Sequence, residues 1–521
     1  MVIERNGYCN VPGRWKKPPW DEDSPRWLEI EAALAADHLA REIREMVGQL
    51  RLDDLFATYA GVGRKAYRPD LMLRVVLYEM RLGHRSPAEW QRHACENSPV
   101  RWLAMGIRPS RSRWYDFGDR LTKVIDDLNA QILHLAVERS ITTASRSALD
   151  GTLIGANSSR HKFLNQQTLE RRTAQLQQAI DDEKYGQTLS IVTPGKPVIT
   201  GPAWMAKTSS GREDQHWRFQ AAGVIMCGLH RENAERPAHQ RRAAKKIKIS
   251  IGDPEAPLSI DKEKVFRPLY NVQLAYDLES PLILAYDVFA QPNDNGTLEP
   301  MLRRHERLTG CKLEKIFADS TYTSAVDLAA CESAGVEMYG PYQENSLSGK
   351  KRGKPKYLPK SEFQWMQDEQ VYVCPQGHRM GRVGQETRRQ SGNRHLKIIQ
   401  YRCPPQHCCT CPRQTSCTKN PKSGRTVKRN EHEDLVERLR QRMQTIEGML
   451  LYKLRGQTVE LGYADFKQHR KLRRFTRRGL QRASTEIGLL VLAHNGLTIV
   501  RAVQPQNKAP PNRVTPEEIE T

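Results

Sequence analysis

Near Ser140 the chain changes its hydrophobic period, and that change constrains the fold more than any other feature. Before it, apolar residues recur at helical spacing. "PDLMLRVVLYEMRLG" sets Leu71, Leu73, Val75, Val76 and Met80 near one stripe, with Gly83 placed to stop it. "RSPAEWQRHACENSPVRWLAMG" and "RWYDFGDRLTKVIDDLNAQILHLAVERS" continue the helical pattern. After it, "SRSALDGTLIGANSS" reads as a strand, and "YNVQLAYDL" and "PLILAYDVFA" read as a hairpin turning at Glu279-Ser280-Pro281. "GTLEPMLRRHERLTG" is a helix, and "LEKIFADS" and "VEMYGPY" are two more strands. Strand, hairpin, helix, strand, strand predicts an α/β core with a mixed sheet.

The other segments arrange themselves around that core. Residues 1–24 mix Gly, Pro, Trp and charge and read as irregular, and 25–140 form a helical domain. Residues 141–344 are the first part of the core, with an insertion at about 185–260 rich in Gly, Pro and basic groups, expected to hold little core of its own. Gln166–Asp182 reads as a solvated helix. Residues 345–430 are a basic linker and a cysteine-rich insertion, 431–502 are helical again, and the Pro/Asn/Glu-rich tail 503–521 is expected to be disordered. A chain of 521 residues has room for this.

The formal charge of +22 and pI near 9.6 point to a polyanionic partner: DNA, RNA or an anionic membrane surface. No run of about 18 apolar residues predicts a spanning helix; the longest candidate, Ile487–Val500, contains His494 and Asn495. The N-terminus lacks an apolar signal core, so a cytoplasmic location is expected. No Gly-x4-Gly-Lys-Ser/Thr loop is present to hold a nucleotide.

Two acids stand at the ends of predicted strands, Asp150 in "SALDGT" and Asp319 in "FADSTY". Strand tips are where reacting groups collect in such sheets. Two bare carboxylates in one volume repel, and a hard divalent cation removes that penalty. Paired ions of this kind activate a water or a 3′-hydroxyl on a phosphodiester. An Asp at a strand end also commonly caps a turn. Asp277 and Asp287 compete on composition, although Asp277 suits the hairpin turn better. A third acid comes from the stretch 450–497, where Lys453, Glu460 and Lys467 recur every seven residues and share a helix face. From Lys453 to Arg482 there are ten Lys or Arg against two acids, Glu460 and Asp465. A carboxylate among so many cations suits a metal ligand beside bound phosphates; an ordinary surface helix laced with ion pairs is the competing reading.

"ALDGT", "YNVQLAYD", "NDNGTLEPML" and "ADSTYTS", in that order, resemble the first-Asp, hairpin and second-Asp blocks of the DDE transposases of bacterial insertion sequences. Tyr452, Arg455, Glu460 and Lys467 resemble the Tyr-Arg-Glu-Lys signature of one group, with four residues between Arg455 and Glu460, one more than in its strictest form. "RPDLMLRVVLYEMRLGHRS" and "SPVRWLAMG" resemble its helical N-terminal region, and the likeness covers about residues 55–500. It implies a ribonuclease H-like core with Asp150, Asp319 and Glu460 holding Mg²⁺ or Mn²⁺. It implies Tyr452, Arg455 and Lys467 near the cut strand, in a dimer or larger assembly on DNA in the bacterial cytoplasm, around the nucleoid. The long 185–260 stretch departs from a compact core of that kind.

Six of the eleven cysteines lie in 374–417. Cys408-x2-Cys411 has a zinc-knuckle spacing; Cys417 and Cys374 complete four thiolates, with Cys403 or His378 as substitutes, and reduced thiols without metal are the alternative. Arg470, Lys471 and Arg474 extend the expected DNA contacts, as do Arg108, Arg111 and Arg113 in "RPSRSRWYDFGDR". Basic runs at 241–248, 350–356 and 467–478 add long-range attraction, whereas Trp90, Trp102 and Trp114 suit core anchors. The functional expectation is a transposase that binds terminal inverted repeats, hydrolyses a phosphodiester and joins the freed 3′ end to target DNA. The alternatives are a non-catalytic DNA-binding descendant and a ribonuclease H-like, structure-selective nuclease.

Overall fold

The computed structural model describes residues 14–59, 63–185, 192–193, 196–197, 201–261, 263–342, 357–390 and 394–503. The basic run 350–356, the tail from 504, most of the irregular N-terminus and part of the insertion fall outside these.

The N-terminal region is helical as expected. Its main helices are α1 (Leu39–Gly48), α2 (Pro69–Arg81), α3 (Pro87–Glu96), α4 (Arg111–Leu121) and α5 (Ile125–Glu138). Pro69 opens α2, and Gly83, at φ +79°, turns the chain after it. Ser86 and Glu89 form a reciprocal capping box that starts α3. Trp90, Trp102 and Trp114 are buried anchors.

The sheet follows. Strand β1 (Arg146–Gly155) pairs antiparallel with β3 (Phe266–Asp277), which pairs antiparallel with β4 (Ile283–Phe289) and, at its start, with the short β2 (Leu258–Ile260). On its other side β1 runs parallel to β5 (Lys315–Phe317), itself parallel to β6 (Glu337–Tyr339). The order β4-β3-β1-β5-β6 is a mixed sheet with an antiparallel meander on one side and parallel strands on the other. The parallel connections carry helices: α8 (Leu298–Thr309) lies between β4 and β5, and a further helix, Ala325–Ala334, between β5 and β6.

The insertion differs from expectation. Helices α6 (Gln166–Lys184) and α7 (Ser209–Glu235) pack together through Leu169 and Leu176 against Phe219, Ala222 and Met226, a separate small core. The stripe on α7 is diluted by polar neighbours, so the segment reads as coil in one dimension.

Residues 364–430 also hold unforeseen structure: a five-stranded antiparallel meander of Gln364–Met366, Val371–Val373, Arg379–Arg389, His395–Arg402 and Thr426–Asn430. Three long helices then return to the main sheet, Glu433–Gln444, the acidic helix Ile446–Ala464 and the closing helix Leu480–Val503. The acidic helix runs on into a π-helical turn, Asp465–His469. Such bulges recur at functional sites.

The closing helix contains Ile487–Val500, the longest apolar stretch in the sequence. By length and composition it could cross a membrane. It is a core helix, packed on α1, α2, α5 and β4, with Asn495 exchanging hydrogen bonds with the Ile283 backbone at 2.9 and 2.8 Å. One continuous core joins the N-terminal helices to the main sheet.

Candidate active site

Asp150 sits in the middle of β1, opposite Leu274. Asp319 lies two residues past the end of β5, whose Phe317 pairs with Ala148. Parallel neighbours thus bring the two acids to the same part of the sheet. Their proximity is felt in the Asp150 carboxyl, which is pushed above its ordinary range. Burial is the main cause, opposed by Arg455 and reinforced by the negative charges of Asp319 and Asp294.

Asp319 also caps a turn, as an Asp at a strand end commonly does. Its Oδ1 accepts the Thr321 backbone N–H at 2.8 Å and the Thr321 hydroxyl, closing a turn. Asp277 serves the hairpin turn, with Ser280 donating to its Oδ2, and Asp287 is a half-buried β4 residue near Arg304.

Beneath Asp150 is a buried polar network that sequence reading missed. Gln273, facing Gly151 across the β1–β3 ladder, donates to Asp294 Oδ1 at 2.7 Å and to Asn271 Oδ1 at 2.9 Å. Asn271 donates to the same Asp294 oxygen at 2.9 Å, and Tyr322 donates to Gln273 Oε1 at 2.6 Å. Tyr322 also closes the turn on Asp319, through its N–H to the Asp319 carbonyl at 3.2 Å. One network therefore sits under both acids. Gly151 is required there: an added Cβ would stand 2.2 Å from Gln273 Nε2 and 2.3 Å from Asp294 Oδ1. The available signal was the "NDNG" turn directly after β4, which carries an acid back toward β3.

The acidic helix grips this site. Arg455 lies 3.2 Å from Asp150 Oδ1, and Tyr463, two turns on, donates to the Asp150 carbonyl at 2.6 Å. Tyr452 stands close enough to Arg455, Asp319 and Asp150 for their charges to act on its phenol, which burial pushes up. Lys467 donates to Thr152 Oγ1 at 2.5 Å, two residues beyond Asp150 on β1. Glu460 is carried on the same helix between Arg455 and Tyr463, and its side chain is exposed. Among the described residues, its carboxylate does not join those of Asp150 and Asp319 in a group with ligand atoms within 4.8 Å of one another.

The basic residues beyond the helix divide. Arg470 is 1% exposed; it donates to Asp465 at 2.7 Å and to the Leu490 carbonyl at 3.1 Å, so it ties the acidic helix to the closing helix. Burial brings its guanidinium down to about 10. Lys471 and Arg474 are exposed. Arg474 holds the Ala156 and Ser158 carbonyls at 3.2 and 3.0 Å. Arg108, Arg111 and Arg113 are exposed at the start of α4.

In the cysteine-rich sheet, Cys374, Cys403, Cys408, Cys411 and Cys417 line one small cavity with His378 and His407. The Cys403 thiol is pushed up by burial and by the adjacent Cys408 and Cys374 thiols. Gly377, at φ +79°, makes the Cys374–Gly377 turn possible. Among the described residues, the thiols do not form a group of three within 4.8 Å.

A helical N-terminal part is thus joined to a mixed α/β sheet that carries one acid within a strand and a second just past its neighbour's end. Residues 28–118 match the family model "Transposase domain (DUF772)", and residues 373–498 match "Transposase DDE domain". The second match spans the last three strands of the cysteine-rich sheet and the acidic helix. Together the two matches, one on the helical region and one around the acidic helix, indicate an insertion-sequence DDE transposase. No curated protein and no solved structure matches it.

Proposed function

We propose that this transposase binds the terminal inverted repeats of its element, cuts a phosphodiester there, and transfers the freed 3′ end to target DNA, with Asp150, Asp319 and Glu460 as the metal-holding acids of a ribonuclease H-like core. The observation that carries the reading is the crowding at Asp150. Two further carboxylates press on a half-buried acid, and the cation against it is Arg455. An all-oxygen donor set with excess negative charge suits Mg²⁺ or Mn²⁺. Bound there, a divalent ion would make a water or 3′-hydroxyl nucleophilic and neutralise charge on the phosphate.

The chain's own residues would do the rest. Asp150 and Asp319 are fixed from below by the Gln273 network. Glu460 would turn in from the acidic helix, whose neighbours Arg455 and Tyr463 already touch Asp150. Tyr452, Arg455, Glu460 and Lys467 would act as the Tyr-Arg-Glu-Lys set, with Arg455 passing from Asp150 to the scissile strand. Arg108, Arg111, Arg113, Lys471 and Arg474 supply exposed positive charge for DNA backbone. Arg470 does not, because its guanidinium is committed to the interior. Two ends must be held together, so a homodimer or larger assembly on DNA is part of the proposal. The cysteine cavity is proposed as a structural Zn²⁺ site using Cys374, Cys408, Cys411 and Cys417, with Cys403 adjacent. The location is the bacterial cytoplasm.

The test is Asp319→Asn. End binding should persist while Mg²⁺-dependent cutting is lost. Equal cutting would remove Asp319 from the mechanism. A chain that binds ends and never cuts them would instead be a DNA-binding descendant, and one that cuts without joining would be a nuclease.

A further inference from the structure

A second cluster of metal-ligand side chains lies far from the three acids in sequence, in the N-terminal helices. Glu79 is in the last turns of α2, His84 is in the turn after it, and His93 is on α3. Glu79 is 1% exposed. Its Oε2 is 2.7 Å from His93 Nδ1 and 3.0 Å from His84 Nδ1, and one ligand atom from each residue lies within 4.8 Å of the others. The two imidazole rings meet edge to face with centroids 4.7 Å apart.

The local fold holds all three in place. The His84 N–H donates to the Glu79 carbonyl at 2.9 Å, and Trp90 Nε1 donates to the His84 carbonyl at 2.8 Å. The capping box on Ser86 fixes the entry of α3, and hence His93. Hydrogen bonding alone accounts poorly for the arrangement. Both histidines turn the same nitrogen to one carboxylate oxygen, while the buried Glu79 Oε1 has no hydrogen-bond partner. A buried acceptor left unpaired costs about 1–3 kcal/mol. A cation among the three groups removes both problems.

We propose that Glu79, His84 and His93 bind a transition-metal dication of the Zn²⁺ class. Two imidazoles and one carboxylate suit zinc, and they disfavour magnesium. The partly exposed His84 and His93, at 29% and 16%, leave a path for the ion and room for a water as fourth ligand. The metal would clip α2 to α3. The same turn carries Arg85, which is ion-paired to Glu486 and donates to the Lys471 and Arg474 carbonyls at 2.7 and 2.9 Å. Gly83 packs against the His469–Arg470 backbone at the end of the π-turn. The clip would therefore brace the seam between the helical region and the end of the acidic helix.

The full-length chain, stripped with chelator and titrated with zinc chloride, tests this. Wild type should bind one equivalent more than His84→Asn or His93→Gln, and its zinc-induced rise in Tm should exceed theirs. Equal stoichiometry in wild type and both folded variants would overturn the site. If either variant does not fold, diethylpyrocarbonate labelling of wild type decides. Zinc should protect His84 and His93 at least about tenfold, and equal labelling with and without zinc would refute the proposal. None of these readouts depends on DNA cutting, so failure here leaves the transposition reading untouched, and the reverse holds.

Discussion

Replacing Gly151 with alanine should be the most damaging single-methyl change near the site. The new Cβ would stand 2.2 Å from Gln273 Nε2, 2.3 Å from Asp294 Oδ1 and 3.0 Å from Tyr322 Oη. Real Cβ atoms do not come so close, so Gln273 or Asp294 must move. Gln273 is fully buried and holds three partners, so movement breaks one or two interior hydrogen bonds. Overpacking costs about 1–3 kcal/mol and each buried bond about 1–3 kcal/mol, which together give roughly 3–5 kcal/mol. Gly456→Ala is the control. It lies on the acidic helix with nothing within 4 Å of its added Cβ, and should stabilise by about 0.5–1 kcal/mol. Urea unfolding of both variants, with end cleavage at a temperature where both are folded, reads the outcome. Gly151→Ala should lose stability by the stated amount and cleave far more slowly, because Asp150 is the adjacent residue. An unchanged midpoint with wild-type cleavage would refute the claim that the buried network sets the position of the acids.

Arg470→Ala should destabilise by about 3–5 kcal/mol by stripping the buried Leu490 carbonyl of its donor and leaving Asp465 with only the more distant Arg81, whereas Arg474→Ala should stay within about 1 kcal/mol of wild type and reduce the salt dependence of DNA binding by about one ion; urea melts and filter binding across salt separate the two. The His305 imidazole is held neutral by burial, down to about 4, so its contribution to stability is complete above about 6.5 and is lost as pH falls toward 4, by at most about 3 kcal/mol. His305→Leu should flatten that part of the stability–pH curve. Cys408→Ser and Cys411→Ser should each lose one zinc equivalent that the His84 and His93 variants retain; equal metal content with wild type would leave the cavity as reduced thiols.

Much of the core could be read from period alone. Strand β1, the β3–β4 hairpin, α8, β5 and β6 each carry strong local alternation or a helical stripe, and their order gives the sheet. The five-stranded meander at 364–430 was hidden because two of its strands are only three residues long and the longest, Arg379–Arg389, is charged and mostly exposed, so burial within it comes from distant partners such as Tyr372 on Tyr401. His494 and Asn495 in the closing helix already spoke against a membrane span, but which elements it packs on could not be read from its sequence. At the site, Asp150 and Asp319 were legible because a strand delivers each one. Asp294, Gln273 and Tyr322 were not, since an Asn-Asp-Asn-Gly turn, a strand amide and a tyrosine are commonplace until the sheet register puts them under Gly151. Arg470 shows the converse: within a basic run a buried guanidinium looks like its exposed neighbours.

The most direct test is anomalous diffraction from the chain bound to element-end DNA with Mn²⁺. The account predicts manganese at about 2.0–2.3 Å from carboxylate oxygens of Asp150 and Asp319, with Glu460 rotated in as a ligand and Arg455 moved onto the DNA strand. Manganese held by Asp150 and Asp319 while Glu460 still faces solvent, with a scissile phosphate in place, would contradict it.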